Sequence, residues 1–337
     1  MEIIDNSKEV DEFEPLVSII IPTYNRADII PVVSIQSVLN QIYKNWELII
    51  VDDGSTDNTK GVCDNFTSED KRIKYFFQEN RGQGAARNFG IKKSSGKYIL
   101  FLDSDDALLP GMINEIMNNF LNDYDYVACR RWVFNGKKNI FDVNTPNPSC
   151  VIFKRELFNK IGYFDEANDL RGIEDADFSI QMEMRKKKQN LVIKDLVIDK
   201  PLVVYLEHEN QETNHSDLAR LNKKTSAIIS KYKDNLDAPR LDLSIKYKES
   251  GNFDIILNNI DEGRKKLIKS LKLNFNTQAI VLLIFSFLGV KFYRNFVYNF
   301  KNFREKKLWK IRLQKAIKKY PDFYSQAKKI TSTYKNW

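Results

Sequence analysis

Short, almost uninterrupted apolar runs alternate with amphipathic stretches over the first hundred residues. Val17-Ser18-Ile19-Ile20-Ile21 reads as a strand ended by Pro22. Trp46-Glu47-Leu48-Ile49-Ile50-Val51 reads as a second, ended by Asp52-Asp53-Gly54-Ser55. Ile73-Lys74-Tyr75-Phe76-Phe77 and Tyr98-Ile99-Leu100-Phe101-Leu102 supply a third and a fourth. Helical spacing fills the gaps, at 27–40, 56–66 and 84–93. Strands without polar alternation, separated by helices, predict an α/β fold with a parallel sheet covered on both faces. Crossovers between such strands are almost always right-handed, so the carboxyl ends of the strands share one edge. From 126 to 205 the pattern is looser, with short strands, a helix near 155–161 and another over 175–188. Beyond Ser216 only helical patterning is present.

The shared edge is where ligands of open α/β sheets bind. It carries Pro22-Thr23-Tyr24-Asn25, Asp52-Asp53 and Asp103-Ser104-Asp105-Asp106. Carboxylates without nearby cysteines suit a hard cation such as Mn²⁺ or Mg²⁺, completed by substrate phosphates. The plain alternative is a strand-to-helix turn in which Asp and Ser cap a helix over 110–120, and Asp106 is expected to be such a cap. Convergence of three strand ends favours ligand chemistry for the rest.

Composition narrows the class. With 42% hydrophobic and 29% charged residues, the 337-residue chain is globular and large enough for one big domain or two ordinary ones. Cys63, Cys129 and Cys150 are an odd number without close spacing, which fits a reduced cytoplasmic protein better than a disulfide framework or a zinc site. The acidic start Met1–Val10 lacks an apolar core, so no secretory signal is expected. Net charge is +8, but residues 264–337 hold 19 Lys and Arg against only Glu305 and Asp322. The remainder is therefore acidic, and the basic tail calls for an anionic partner.

Five segments in order resemble the family 2 inverting glycosyltransferases of the GT-A fold. They are Ser18-Ile19-Ile20-Ile21-Pro22-Thr23-Tyr24-Asn25, Glu47 through Asp57, Asn80-Arg81-Gly82-Gln83-Gly84-Ala85-Ala86-Arg87-Asn88-Phe89-Gly90, Gly96 through Asp106, and Gly172-Ile173-Glu174-Asp175-Ala176-Asp177-Phe178. The resemblance covers roughly residues 16–210. It implies a Rossmann-like, mostly parallel sheet with helices on both faces, followed by a mainly helical C-terminal region. It also implies an extension at 1–15 and a catalytic domain at 16–215, divided into a nucleotide-binding half (16–106) and an acceptor half (107–215). A basic helical region at 216–337 would follow.

The roles implied are chemically sensible. Tyr24 would stack on a uracil ring and Asp53 would accept its N3–H, with Pro22, Thr23 and Asn25 completing the donor loop. Gly84 would let backbone approach the nucleotide at a helix start, and Arg87 would hold it near the pyrophosphate or base. Asp103 would face the ribose beside Ser104, and Asp105 with His208 would hold the metal. Asp175 would be the general base, with Glu174 a second catalytic candidate turned towards the acceptor. Each has a plainer reading: a turn at Asp53, a surface ion pair for Arg87, helix-dipole acids at Glu174-Asp175, a surface histidine at 208. Gly82-x-Gly84 is not a dinucleotide-binding fingerprint, which would follow the first strand, where no glycine stands.

The implied reaction moves a sugar from a nucleotide sugar, expected to be UDP-linked, to a hydroxyl of a glycan or lipid-linked acceptor. This is hexosyl or N-acetylhexosaminyl transfer in bacterial surface polysaccharide synthesis such as capsule. Processive synthases of the family carry Gln-x-x-Arg-Trp, whereas Gln181-Met182-Glu183-Met184-Arg185-Lys186 has the wrong spacing and no Trp. The longest apolar run, Ala279 to Val290, falls short of the ~20 residues that span a bilayer. Addition of one or a few sugars is expected. The tail mixes Phe285, Phe287, Phe292, Tyr293, Phe296, Tyr298, Phe300, Phe303, Leu308 and Trp309 with lysines and arginines. That pattern predicts peripheral binding to an anionic membrane surface at the cytoplasmic face, against a packed helical subdomain as the alternative. No nucleic acid partner is expected. Rival functions are a degenerate, non-catalytic binding module and a nucleotidyltransferase.

Overall fold

The computed structural model describes residues 14–120, 123–135, 140–144, 148–167, 170–207, 217–235, 237–297, 314–315 and 317–332. Its centre is a nine-stranded sheet: β1 (Val17–Thr23), β2 (Trp46–Asp53), β3 (Ile73–Gln78), β4 (Tyr98–Phe101), β5 (Asp106–Leu108), β6 (Tyr126–Asn135), β7 (Ile140–Asn144), β8 (Val151–Lys154) and β9 (Asp195–Glu207). The strands follow the order β3-β2-β1-β4-β8-β6-β9-β5, with β7 pairing off β6. The expected parallel pairing runs through β3-β2-β1-β4. Past β4 the sheet is mixed: β8 is antiparallel to β4 and β6, β5 is antiparallel to β9, and β6 and β9 run parallel.

The apolar runs follow from burial on both faces. Val17, Ile19, Ile21, Leu48, Ile50 and Leu100 point into one core, while Ile20, Ile49, Val51, Ile99 and Phe101 point into the other. The first core is closed by α1 (Gln36–Leu39) and α4 (Met112–Met117), the second by α3 (Gln83–Lys93), α5 (Arg155–Ile161) and α6 (Glu174–Lys188). A further helix, α2 (Thr59–Glu69), connects β2 to β3.

Three expectations change in detail. β1 does not stop at Pro22 but pairs with β2 through Thr23. Its pairing with β4 ends at Ile20, so the missing N–H of Pro22 faces no neighbour on that side. The helix expected over 27–40 opens as a π-helical turn, Pro31–Ile35, before α1. Asp106 is not a helix cap. It is the fully buried first residue of β5, where it pairs with Tyr205 of β9.

Beyond the sheet lie α7 (Leu218–Tyr232), α8 (Arg240–Ile256), α9 (Ile260–Leu273), α10 (Thr277–Phe285) and a last helix, Pro321–Ser332. α7 is fastened to α6 through Asp177, which accepts hydrogen bonds from Lys231 and the Tyr232 hydroxyl at 2.6 Å each. The helix Pro321–Ser332 returns to the sheet: Ala327, Phe323 and Tyr324 pack with Trp132, Val204 and Leu109. The three cysteines are buried and free of disulfides.

Candidate functional site

The carboxyl ends of β1, β2 and β4 and the start of α6 surround a cavity of about 830 Å³. Pro22, Thr23, Tyr24, Asn25, Asp53, Arg87, Asp103, Ser104, Asp105, Glu174 and Asp175 all line it. Residues as far apart in sequence as Pro22 and Asp175 thus meet in one cleft, as the sheet topology requires. Two expected members stand apart. Gly84 lines a smaller neighbouring recess instead, where a Cβ would meet the Asp165 carbonyl at 3.0 Å. His208 lies outside the described residues.

Each polar residue has definite work. Asn25 takes a left-handed conformation (φ 50°) and accepts the Thr56 N–H at 2.8 Å, tying the β1 loop to the β2 loop. Tyr24 beside it is 46% exposed at the rim. Asp53 accepts three hydrogen bonds, from Gln78 (2.7 Å), the Arg81 N–H (2.8 Å) and the Gly82 N–H (2.8 Å). Since a carboxylate has about four lone-pair positions, one remains for a ligand. Gly82, at φ 94°, permits this loop, because a side chain there would meet Arg171 Cγ at 2.9 Å.

Arg87 is buried and bidentate, but not to a surface acid. Its Nη1 donates to Glu174 Oε1 at 2.8 Å and its Nη2 to Asp103 Oδ1 at 2.9 Å. Burial opposes its charge, yet the carboxylates of Asp103 and Glu174 outweigh burial and raise its pKa further. Arg87 therefore joins the strand-end carboxylates to the start of α6. Glu174 is buried, and its second oxygen accepts the Gly172 N–H at 2.7 Å. Asp175, one residue on, is exposed to the cavity, and its carboxylate accepts only the Ala176 N–H, at 2.7 Å, among the described residues.

The acidic end is electrostatically crowded. Burial raises the Asp103 carboxyl, Arg87 opposes this, and Asp105 adds to it. Asp106 is pushed well above the ordinary carboxylate range by burial and by Asp103 and Asp105. Asp105 is partly exposed, with Arg26 Nη2 at 4.0 Å. No three metal-ligating side chains cluster among the described residues. One oxygen-donor carboxylate in a phosphate-sized cleft still fits a hard cation that takes its other ligands from substrate and water.

Sequence reading passed over several lining residues: Arg26, Asn80, Gln83, Arg131, Arg171, Tyr205 and Arg220. Gln83 donates to Asp103 at 2.9 Å, and Arg171 clamps Asn80 through Oδ1 (2.8 Å) and the carbonyl (3.1 Å). Arg131 had a signal. Two adjacent arginines inside an otherwise apolar strand mark a position that the core cannot hold.

The model for the family described as glycosyl transferase family 2 matches residues 18–188, just over half the chain. The chain belongs to glycosyl transferase family 2. It is 42% identical over 186 residues to glycosyltransferase GlyG of Streptococcus pneumoniae, covering 44% of this chain and 60% of that one. To the GalNAc(5)-diNAcBac-PP-undecaprenol beta-1,3-glucosyltransferase of Campylobacter jejuni it is 40% identical over 115 residues, covering 34% and 37%. Among the curated relatives, a Rickettsia bellii glycosyltransferase is matched over 16% of its length, so the chain spans only part of these proteins. The mannosyltransferase PcManGT of Pyrobaculum calidifontis, solved with GDP-Man and Mn²⁺, superposes with TM-score 0.52 at 17% identity over 97% of this chain and 89% of that one. S. aureus TarS 1–349 with UDP-GlcNAc gives 0.51 at 18% identity, over 85% and 91%. The family 2 glycosyltransferase therefore has the GT-A fold.

Proposed function

We propose that this enzyme is an inverting, metal-dependent glycosyltransferase that moves a hexosyl or N-acetylhexosaminyl group from a UDP-linked donor to an acceptor hydroxyl. The observation that carries the reading is the single cavity joining Asp53, Arg87, Asp103 and Asp105 to the exposed Asp175. Tyr24 offers a face for the base, and the remaining lone pair of Asp53 accepts the base N–H. Asp103 and Ser104 face the ribose. A divalent cation, Mn²⁺ or Mg²⁺, held by Asp105 and by His208, would neutralise charge on the diphosphate as a Lewis acid. Asp175 takes the acceptor's proton as its oxygen attacks the anomeric carbon opposite the departing diphosphate. One displacement assisted by one base inverts configuration, whereas a nucleophilic carboxylate would retain it.

Glu174 is better suited to positioning than to contact with the acceptor, because both its oxygens are engaged. The Campylobacter relative, named for an undecaprenol-linked glycan, supports a lipid-linked acceptor and a role in surface polysaccharide assembly. The basic C-terminal region would hold the enzyme at the anionic membrane face where such acceptors lie. The domain division at residue 215 follows the same logic, with most of the catalytic residues before it and only Arg220 of the named cavity residues after it. Asp175→Asn tests the centre of the proposal. It should bind UDP with wild-type affinity by calorimetry while transfer falls by about 10²–10⁴-fold. Undiminished transfer would overturn the base assignment.

A further inference from the structure

We propose that Arg131 is a catalytic residue whose guanidinium, held over the Tyr205 ring, receives the oxygens of the departing nucleoside diphosphate. The assignment rests on the glycosyltransferase reading above and extends it to a residue outside the five motif segments.

The sheet register places Arg131. Tyr205 of β9 pairs with Val133 of β6 and with Asp106 of β5. Because side chains alternate along strands, Arg131, two residues before Val133, shares a face with Val133, Tyr205 and Asp106. Trp132, between them, points the other way into the core with Val204 and Ala107. Arg131 is thus the diagonal neighbour of Tyr205, and its guanidinium carbon lies 4.4 Å from that ring's centroid. A register irregularity between Cys129 and Arg131 separates the two adjacent arginines. Arg130 turns outward to pair with Asp199, while Arg131 lines the cavity. Such irregularities often re-aim side chains beside active sites.

Arg131 is packed against the Tyr205 ring. Among the described residues no carboxylate lies within 4.0 Å of it, and its buried Nε has no hydrogen-bond partner. The Asp106 carboxyl on the same face is an electrostatic neighbour of the guanidinium, and the unpartnered, buried Nε beside an open cavity leaves donors for a ligand anion. Its place identifies which anion. Arg131 belongs to the row that begins at Asp106, one residue after Asp105, so it stands at the acidic end of the cavity. The bond from the anomeric carbon to the β-phosphate oxygen breaks as the acceptor oxygen bonds to that carbon. The electron pair stays on the β-phosphate, and the acceptor's proton goes to Asp175. A planar fork of N–H donors suits those phosphate oxygens.

The test compares UDP with UMP by calorimetry, without acceptor, in wild type, Arg131→Met and Arg131→Lys. If wild type prefers another base, the corresponding diphosphate and monophosphate are used. In Arg131→Met, UDP affinity should fall by about tenfold or more while UMP affinity holds within about twofold. Transfer kcat should fall by about 10²-fold with acceptor KM unchanged. Arg131→Lys keeps the charge without the fork and should show a reduced UDP-to-UMP preference, which covers the case of a methionine variant that fails to fold. Equal loss for UDP and UMP, an unchanged preference in the lysine variant, or a raised acceptor KM with intact UDP affinity would each overturn the assignment. Wild-type protein that binds no nucleoside diphosphate and hydrolyses no nucleotide sugar would instead overturn the underlying glycosyltransferase mechanism.

Discussion

Glu174 and Asp175 are adjacent acids at a helix start, yet they occupy opposite environments. A helix turns about 100° per residue, which sends Glu174 inward to Arg87 and leaves Asp175 in the cavity. The two should therefore separate in stability and activity. Glu174→Ala removes half of the acid pair around a buried arginine and should cost about 3–5 kcal/mol in urea unfolding, with activity lost alongside. Asp175→Ala should stay within about 0.5 kcal/mol of wild type while transfer is lost. Equal destabilisation by both changes would remove the distinction. Sequence alone could not make it, because acids are favoured at any helix N-terminus and only Arg87, more than 80 positions away, decides which of them is buried.

Among the elements, the loops and edges of the sheet depend on Glu47, a buried acid inside the apolar run of β2. Burial alone would raise its pKa. The Ser95 N–H, the Lys74 ammonium 2.9 Å away and the hydroxyls of Ser18 and Ser95 overcome this and hold it at about 2. A depressed carboxyl stabilises the fold above its unfolded value near 4.5, and that stabilisation is lost as pH falls towards 2. The shift corresponds to at most about 3 kcal/mol. Glu47→Gln should be less stable than wild type by that order at pH 7, with the gap closing by pH 2. A gap that does not change with pH would refute the linkage. Strands of the first half were legible because burial on both faces leaves an unbroken apolar signature. β5 was not, since three residues headed by a buried Asp106 look like a turn. β6 was obscured by Arg130-Arg131, where a surface pair with Asp199 and the cavity, not the core, dictate residue type. Asp53, Asp103 and Asp105 were legible as strand-end acids, whereas Arg171 and Arg220 entered the site only through folding of a distant loop and of the start of α7.

For the whole molecule, the question is what the basic C-terminal region faces. Part of its aromatic complement is core: Tyr293 is buried with its hydroxyl on Asn252 at 2.8 Å, and Phe285 stacks on Phe296. Tyr298, Phe300, Phe303, Leu308 and Trp309 lie outside the described residues. Another part is bare, with Phe275 73% exposed, Phe287 66%, Leu288 56% and Phe292 51%. These flank α10 and the turn after it, beside exposed Lys272, Lys291 and Arg294. No helix among the described residues is long and apolar enough to cross a membrane. Large apolar groups amid cations suit insertion into an anionic interface, each contributing roughly 1.5–3 kcal/mol when buried. Truncating the tail would be a poor test, because Phe323 and Ala327 complete the core against Trp132. Replacing Phe287, Leu288 and Phe292 together with serine leaves that packing alone. The triple variant should bind anionic phosphatidylglycerol vesicles at least about 100-fold more weakly than wild type in sedimentation, while transfer to a soluble acceptor is unchanged. Wild-type binding should also weaken as salt rises from 0.1 to about 0.5 M. Equal sedimentation of variant and wild type would show that these side chains do not meet lipid, and salt-insensitive binding would remove the electrostatic half of the argument.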